Sequence, residues 1–193
     1  MTRSFDGTAV EELWLDQLCA TALWAPTAGN SAGVRFYTLG PSYVDEYLSV
    51  ATDAGWRERS RRYEGLRRAG ALVLVTARVS EYLQRYTEDD KSDSTLGDES
   101  AWPLPYWHTD AAMATMALLL LLEESGWQAA LWGNFRHGDA ILKWLDISDE
   151  ELFATIFIGR GDGNDPPSSS LSRPVPSRQA RVTRLTPTSE ARS

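Results

Sequence analysis

The chain has 193 residues, a net charge of −8, one cysteine and two histidines. This length fits one domain able to bury roughly 70% of its unfolded surface, and the acidic balance argues against nucleic acid as a partner. The lone Cys19 excludes an internal disulfide and a cysteine-based metal site and suits a reducing cytoplasm. No N-terminal apolar segment resembles a signal peptide, and the longest apolar run, 111–122, is about half of what spans a bilayer.

In chain order, TAVE (8–11) reads as a capping box that opens an amphipathic helix to about Leu23, with Val10, Leu13, Trp14, Leu18 and Ala22 on one stripe. Pro26 ends it. WAPTAGNSAGVRF (24–36) then turns a corner on small side chains and one Asn. Either the corner is simply tight, or its backbone lies flat against something bound there. VRFYTL (34–39) alternates as a strand, and Ser42 caps a helix to about Ala54 that Gly55 closes. RERSRRYEGLRR (57–68) is a basic helix, read as a solvated or ion-paired face, and ALVLVTARV (71–79) is a buried strand.

Residues 86–108 form a polar, acidic loop ending in WPLPYWH; a loop this long is a lid, a partner arm or disordered. Asp110 opens a helix, AAMATMALLLLLEES, that Gly126 ends. It is apolar nearly all round, so it belongs at the centre of the domain or in a subunit interface. WQAALWGNF (127–135) follows as a strand and turn, Asp139 caps a helix to Leu145, SDEE (148–151) caps a short turn, and FATIFIG (153–159) is a buried strand. Beyond it lies Pro/Ser/Arg-rich coil with a possible strand near 181–185. Helices dominate and the strands are irregularly spaced, which points to an α+β fold. Residues 1–185 are expected to form the domain and 186–193 a disordered tail.

Several tempting motifs fail. GRGDG (159–163) follows a strand but leads into Pro-Pro-Ser-Ser-Ser rather than the helix a dinucleotide fingerprint needs. His108 and His137 sit in no metal-ligand pattern, and no hydrolase constellation is present. What remains is a set of positions that expose backbone or carry a well-placed cation: Arg3, the corner 25–30, LWGNF (131–135) around Gly133, and Arg173 next to Pro174. A site without triad or metal can still be active when a cofactor carries the redox chemistry.

The order of these segments resembles the FMN-dependent nitroreductase-like flavoproteins over about residues 3–184. RSFDGTAV is similar to the end of that family's N-terminal Arg-Arg-Ser-x-Arg-x-Phe motif, and APTAGNSAGVRF to its Ala-Pro-Ser-x-x-Asn-x-Gln-Pro-Trp-x-Phe segment. YWHTDAAMATMALLLLLEESGWQAALWGNF resembles the central interface helix and the turn that meets the flavin. IFIGRGD and SRPVPSRQARV look like the last strand and the C-terminal arm.

The resemblance implies a mainly antiparallel sheet flanked by helices, the long helix in a homodimer interface, and a C-terminal arm exchanged between subunits. It also implies an FMN-dependent oxidoreductase that passes hydride from NADH or NADPH through flavin N5 to a nitroaromatic, quinone or similar acceptor. Backbone N–H groups of Gly133 and Asn134 would face N5 and O4, with Leu131 and Trp132 beside them. Arg3 would reach the ring or ribityl chain and Arg173 the phosphate. Pro26, Thr27, Ala28 and Asn30 would lie against the cofactor from the second subunit, and Trp102, Tyr106 and Trp107 would shape the acceptor pocket.

The sequence also departs from the pattern. The motif's first Arg and its Ser fall at or before Met1, Ala32-Gly33-Val34 replaces Gln-Pro-Trp, and Leu171 stands where some relatives carry a second cation. Either the chain starts a few residues downstream of the natural start, or flavin binding is weakened or abandoned, and two other readings stay open: a flavin-binding protein that stores, carries or senses FMN, and a flavin-less dimer acting as a partner subunit.

Overall fold

A computed structural model describes residues 1–165 and 167–184. Four strands, β1 (Val34–Leu39), β2 (Ala71–Ala77), β3 (Gln128–Gly133) and β4 (Glu151–Gly159), form one sheet in the order β1-β2-β4-β3, every neighbour antiparallel. Helices α1 (Glu12–Ala22) and α6 (Tyr106–Glu124) cover one face, where Val73, Val75, Ile156 and Ile158 meet Leu15, Cys19, Leu118 and Leu122. Helices α2 (Val44–Ala51), α4 (Tyr63–Leu66) and α7 (Gly138–Trp144) cover the other, packing Tyr47, Leu48, Leu66 and Ile141 on Leu72, Leu74 and Phe157. The expected α+β architecture is present. Strand β2 is buried on both faces, which is why its sequence is an unbroken apolar run instead of an alternating one.

Helix α6 ends at Gly126 (φ 73°), as expected, but starts at Tyr106 rather than Asp110. Pro105 serves as its N-cap residue, and Asp110 lies a turn inside, 1% exposed. The helix is not covered on every side by its own chain: Met113, Met116 and Leu120 form an exposed stripe.

Other boundaries move for identifiable reasons. Thr8 does not cap α1. Its N–H donates to Asp6 Oδ1 and the Val10 N–H to the Gly70 carbonyl, which ties this stretch to the start of β2 ahead of the helix. Glu11 caps instead, accepting from the N–H groups of Leu13 and Trp14. The buried stripe of α1 is Leu15, Cys19 and Ala22, while Leu13 is 70% exposed. Gly55 does not close α2: Thr52 breaks it in extended conformation, and Gly55 lies within α3 (Ala54–Arg59). The basic stretch is two short helices broken at Ser60, and its ion pairs include Arg67 to Asp45 and Arg68 to Asp162.

Strand β2 stops at Ala77, because the chain turns into a helix that periodicity did not reveal, α5 (Val79–Arg85). Asp139 sits in the first turn of α7, whose N-cap residue is His137. SDEE caps no helical turn: Asp149 has φ 59° and β4 begins at Glu151. The loop 86–108 is folded on itself, with single 3-10 turns at Asp89–Lys91 and Glu99–Ala101, Arg85 paired to both oxygens of Asp90, and the Trp102 indole donating to the Leu96 carbonyl. Residues 181–184 carry no strand, and 185, like the tail 186–193, lies outside the described residues. No helix among the described residues is long and apolar enough to cross a membrane.

Candidate functional site

Strand β3 is an edge strand, and where it ends at Gly133 a cleft of about 330 Å³ opens. Its lining joins two distant stretches: Thr52, Asp53 and Trp56 from the α2–α3 junction, and Trp132, Gly133 and Phe135 to His137 from the end of β3. Trp56 and Trp132 meet edge to face, centroids 5.2 Å apart, so one wall is aromatic. Ala51 and Phe135 add apolar surface, and the remaining side chains of the rim are polar. Arg57 holds the α2–α3 junction by donating to the carbonyl and hydroxyl of Thr52, His137 Nε2 lies 3.4 Å from Asp53 Oδ1, and Arg136 is exposed at the mouth.

A Cβ on Gly133 would lie 2.8 Å from the ring of Phe135, which folds back over it and, being 96% exposed, would have to swing away. The Phe135 N–H donates to the Gly133 carbonyl at 3.0 Å, closing a tight turn directly after the last β3–β4 pair, Gly133 with Ala154. The Asn134 side chain points the other way, into the core: its Oδ1 lies 3.0 Å from the Tyr47 hydroxyl and its Nδ2 donates to Thr155 Oγ1 at 2.9 Å.

The corner that precedes β1 is tight and strained. Gly29, Asn30 and Ala32 all have positive φ (61°, 58° and 53°), a conformation that non-glycine residues hold only when the surroundings impose it. Those surroundings are visible. Asp110 Oδ2 accepts from the Ala28 N–H (2.8 Å) and the Tyr82 hydroxyl (2.9 Å), Arg85 Nε donates to the Gly29 carbonyl (2.8 Å), and the Ala32 N–H donates to Thr27 Oγ1 (3.3 Å). Burial and the facing Asp110 carboxylate raise the Tyr82 hydroxyl above its ordinary pKa, so it is a donor at neutral pH. Pro26 and Asn30 remain exposed on the outer side of the corner.

The expected site residues thus fall into separate places within one chain. Leu131, Trp132, Gly133 and Asn134 lie together at the end of β3. Pro26, Thr27, Ala28 and Asn30 lie beside β1, on the opposite edge of the sheet. Arg3 sits near the start of β3, where the Thr2 N–H donates to the Ala129 carbonyl; its guanidinium is 4.0 Å from Asp165. Arg173 is exposed beyond the last strand. Trp102 packs on Tyr106, Trp107 and Tyr82, and Trp107 also meets Tyr82, is buried and donates to Glu151. They do not line the Gly133 cleft of their own chain. GRGDG is structural: Arg160 stacks on Trp127, and Asp162 accepts from Ser4 and Arg68.

Sequence reasoning missed Thr52, Asp53, Trp56, Arg136 and His137 in the cleft, and Tyr47, Thr155, Tyr82 and Asp110 behind the two site segments. No spacing rule links them. The one local signal was a tryptophan directly after Gly55 in an otherwise charged stretch. Among the described residues no group of three or more His, Cys, Asp or Glu side chains is placed to hold a metal ion.

Comparison with known proteins bears on this geometry. The sequence profile of the nitroreductase family matches residues 1–160. Similar solved structures include nitroreductase CinD from Lactococcus lactis in complex with nicotinic acid (13% identity, TM-score 0.73, covering 96% of this chain and 95% of that one). A protein from Desulfovibrio desulfuricans in complex with FMN is similar at 17% identity and a TM-score of 0.63 (96% and 92% covered). An oxidoreductase containing FMN is similar at 23% identity and 0.61 (83% and 72% covered). No curated protein matches by sequence. At these identities the solved structures bear on the fold alone; the profile match establishes kinship, and the chain belongs to the nitroreductase family.

Proposed function

We propose that this member of the nitroreductase family is an FMN-dependent oxidoreductase, working in the cytoplasm as a homodimer. The observation that carries the reading is the cleft at the end of β3, where bare glycine backbone and an aromatic wall of Trp132 and Trp56 meet. That combination suits FMN: a flat conjugated ring needs close backbone approach, an apolar face and a few fixed N–H donors. When bound, FMN supplies hydride chemistry, taking two electrons from NADH or NADPH and passing them to an electron-poor acceptor such as a nitroaromatic or a quinone.

The residues of the chain bind and orient. Gly133 and Asn134 would present backbone N–H groups toward N5 and O4, with Leu131 and Trp132 beside the ring. Arg3 would reach the ring or ribityl chain, and Arg173 the phosphate. The corner of Pro26, Thr27, Ala28 and Asn30 lies at the other edge of the sheet, so in this reading a second copy brings it to the cofactor, together with Trp102, Tyr106 and Trp107 near the acceptor. The exposed stripe Met113, Met116 and Leu120 on α6 is where the copies would meet, since an apolar stripe of this kind is stable only when covered.

A flavin-less dimer is the second reading, and one observation favours it: Arg3, matched to the last cation of the N-terminal motif, faces Asp165 instead of open solvent. Titrating the purified protein with FMN separates the two. A visible band that shifts on binding and bleaches with NADH or NADPH under anaerobic conditions is expected; no bound flavin at saturating FMN overturns the enzyme reading.

A further inference from the structure

Beneath the turn that ends β3, three polar side chains close a ring in the core. Tyr47 and Thr155 are both 0% exposed. The Tyr47 hydroxyl lies 3.0 Å from Asn134 Oδ1 and 2.9 Å from Thr155 Oγ1, and Asn134 Nδ2 donates to Thr155 Oγ1 at 2.9 Å. One assignment of protons satisfies all three groups: Tyr47 donates to Asn134, Asn134 to Thr155, and Thr155 back to Tyr47. Burial pushes the Tyr47 phenol well above its ordinary pKa, so it stays a neutral donor across the working range of pH.

The ring sits just past the last residue of β3. Gly133 pairs with Ala154, and its carbonyl accepts from the Phe135 N–H, so the turn is held from the strand side. Gly133 has no side chain of its own, so the Asn134 side chain is what ties the Gly133–Asn134 peptide to the core, and its anchor is this buried ring. Tyr47 itself is held by edge contacts with Phe157 and Trp144, centroids 5.7 and 6.5 Å away.

We propose that Tyr47 and Thr155 are positioning residues which, acting through the Asn134 side chain, fix the direction of the Gly133–Asn134 peptide at the mouth of the cleft. A site that relies on backbone N–H donors gains from having them aimed in advance, since their reorganisation is then complete before the ligand arrives. The role toward FMN rests on the reading above; the fixing of the peptide does not.

Two measurements judge the proposal. The first uses cofactor-free protein and follows hydrogen exchange of the Asn134 side-chain amide and backbone N–H by NMR. Tyr47→Phe and Thr155→Val should each raise exchange at Asn134 at least tenfold above any change at β2 amides, and Thr155→Ser should restore protection. The second is FMN affinity with the absorbance spectrum of the bound flavin. Tyr47→Phe should weaken binding about tenfold and shift the bound spectrum, with Thr155→Ser close to wild type. Unchanged Asn134 exchange in Tyr47→Phe and Thr155→Val overturns the proposal, as does accelerated exchange in them that spreads equally over the whole sheet. If the wild-type chain takes no FMN, the cofactor reading fails, and the exchange measurement alone still decides the positioning role.

Discussion

Replacing Asp110 with alanine tests how the strained corner before β1 is held. Asp110 is 1% exposed and its Oδ2 accepts from both the Ala28 N–H and the Tyr82 hydroxyl. Tyr82 is itself 0% exposed, so its orphaned hydroxyl costs about 1–3 kcal/mol; the Ala28 N–H is half-buried and can partly recover with water, at about 1 kcal/mol. Against this, the substitution also removes Asp110 Oδ1, a buried oxygen without a partner, which returns about 1 kcal/mol. The net loss is about 1–3 kcal/mol, or a fall in Tm of about 2–12 °C for a chain of this size. Asp110→Asn keeps an acceptor in place and should lose no more than about 1 kcal/mol.

Calorimetry measures the loss, and hydrogen exchange at Ala28 localises it: the amide should exchange at least tenfold faster in Asp110→Ala than in Asp110→Asn. In the proposed reading, where Thr27, Ala28 and Asn30 of a second copy meet the cofactor, the same variant should also weaken FMN binding. If Asp110→Ala unfolds at the wild-type temperature with the Ala28 amide still protected, the carboxylate is not what imposes the positive φ values, and the account of the corner is wrong.

Other outcomes follow from the same structure. Asp162 is held down to about 2, first by the Asn164 N–H and then by Ser4 and Arg68. A carboxyl depressed in the folded state stabilises above its unfolded pKa of about 4 and loses that contribution as pH falls toward 2. Acid unfolding of the wild type should therefore be steeper between pH 4 and pH 2 than that of Asp162→Asn. Burial, and secondarily Asp16, push the Cys19 thiol up to about 12, so a thiol reagent at pH 8 should label it only once denaturant unfolds the chain; rapid labelling of the native protein would contradict its placement against α6. Met116→Asp together with Leu120→Asp should convert the proposed homodimer to a monomer in sedimentation, because two charges would have to be desolvated in the interface. A native dimer that survives both would place the interface elsewhere.

The amino-acid sequence by itself determined the elements whose residues are dictated by burial. The unbroken apolar run of β2 announced a strand covered on both faces, the nearly all-apolar α6 announced a helix for the domain centre or a subunit interface, and Gly126 marked its end. The order of segments, with Gly133 and the corner at 24–36, also carried the family. The tertiary structure alone decided what depends on partners far away along the chain. Glu11 caps α1 in place of Thr8, because the carbonyl of Gly70 claims the N–H of Val10 and keeps that stretch out of the helix. Trp56 and Trp132 share a wall, and Tyr47, Asn134 and Thr155 share a hydrogen-bonded ring, only because β3, β4 and α2 pack together. Periodicity reports how much of each residue is buried; it carries no record of which polar group will stand opposite which, since that pairing is fixed by sheet order and packing.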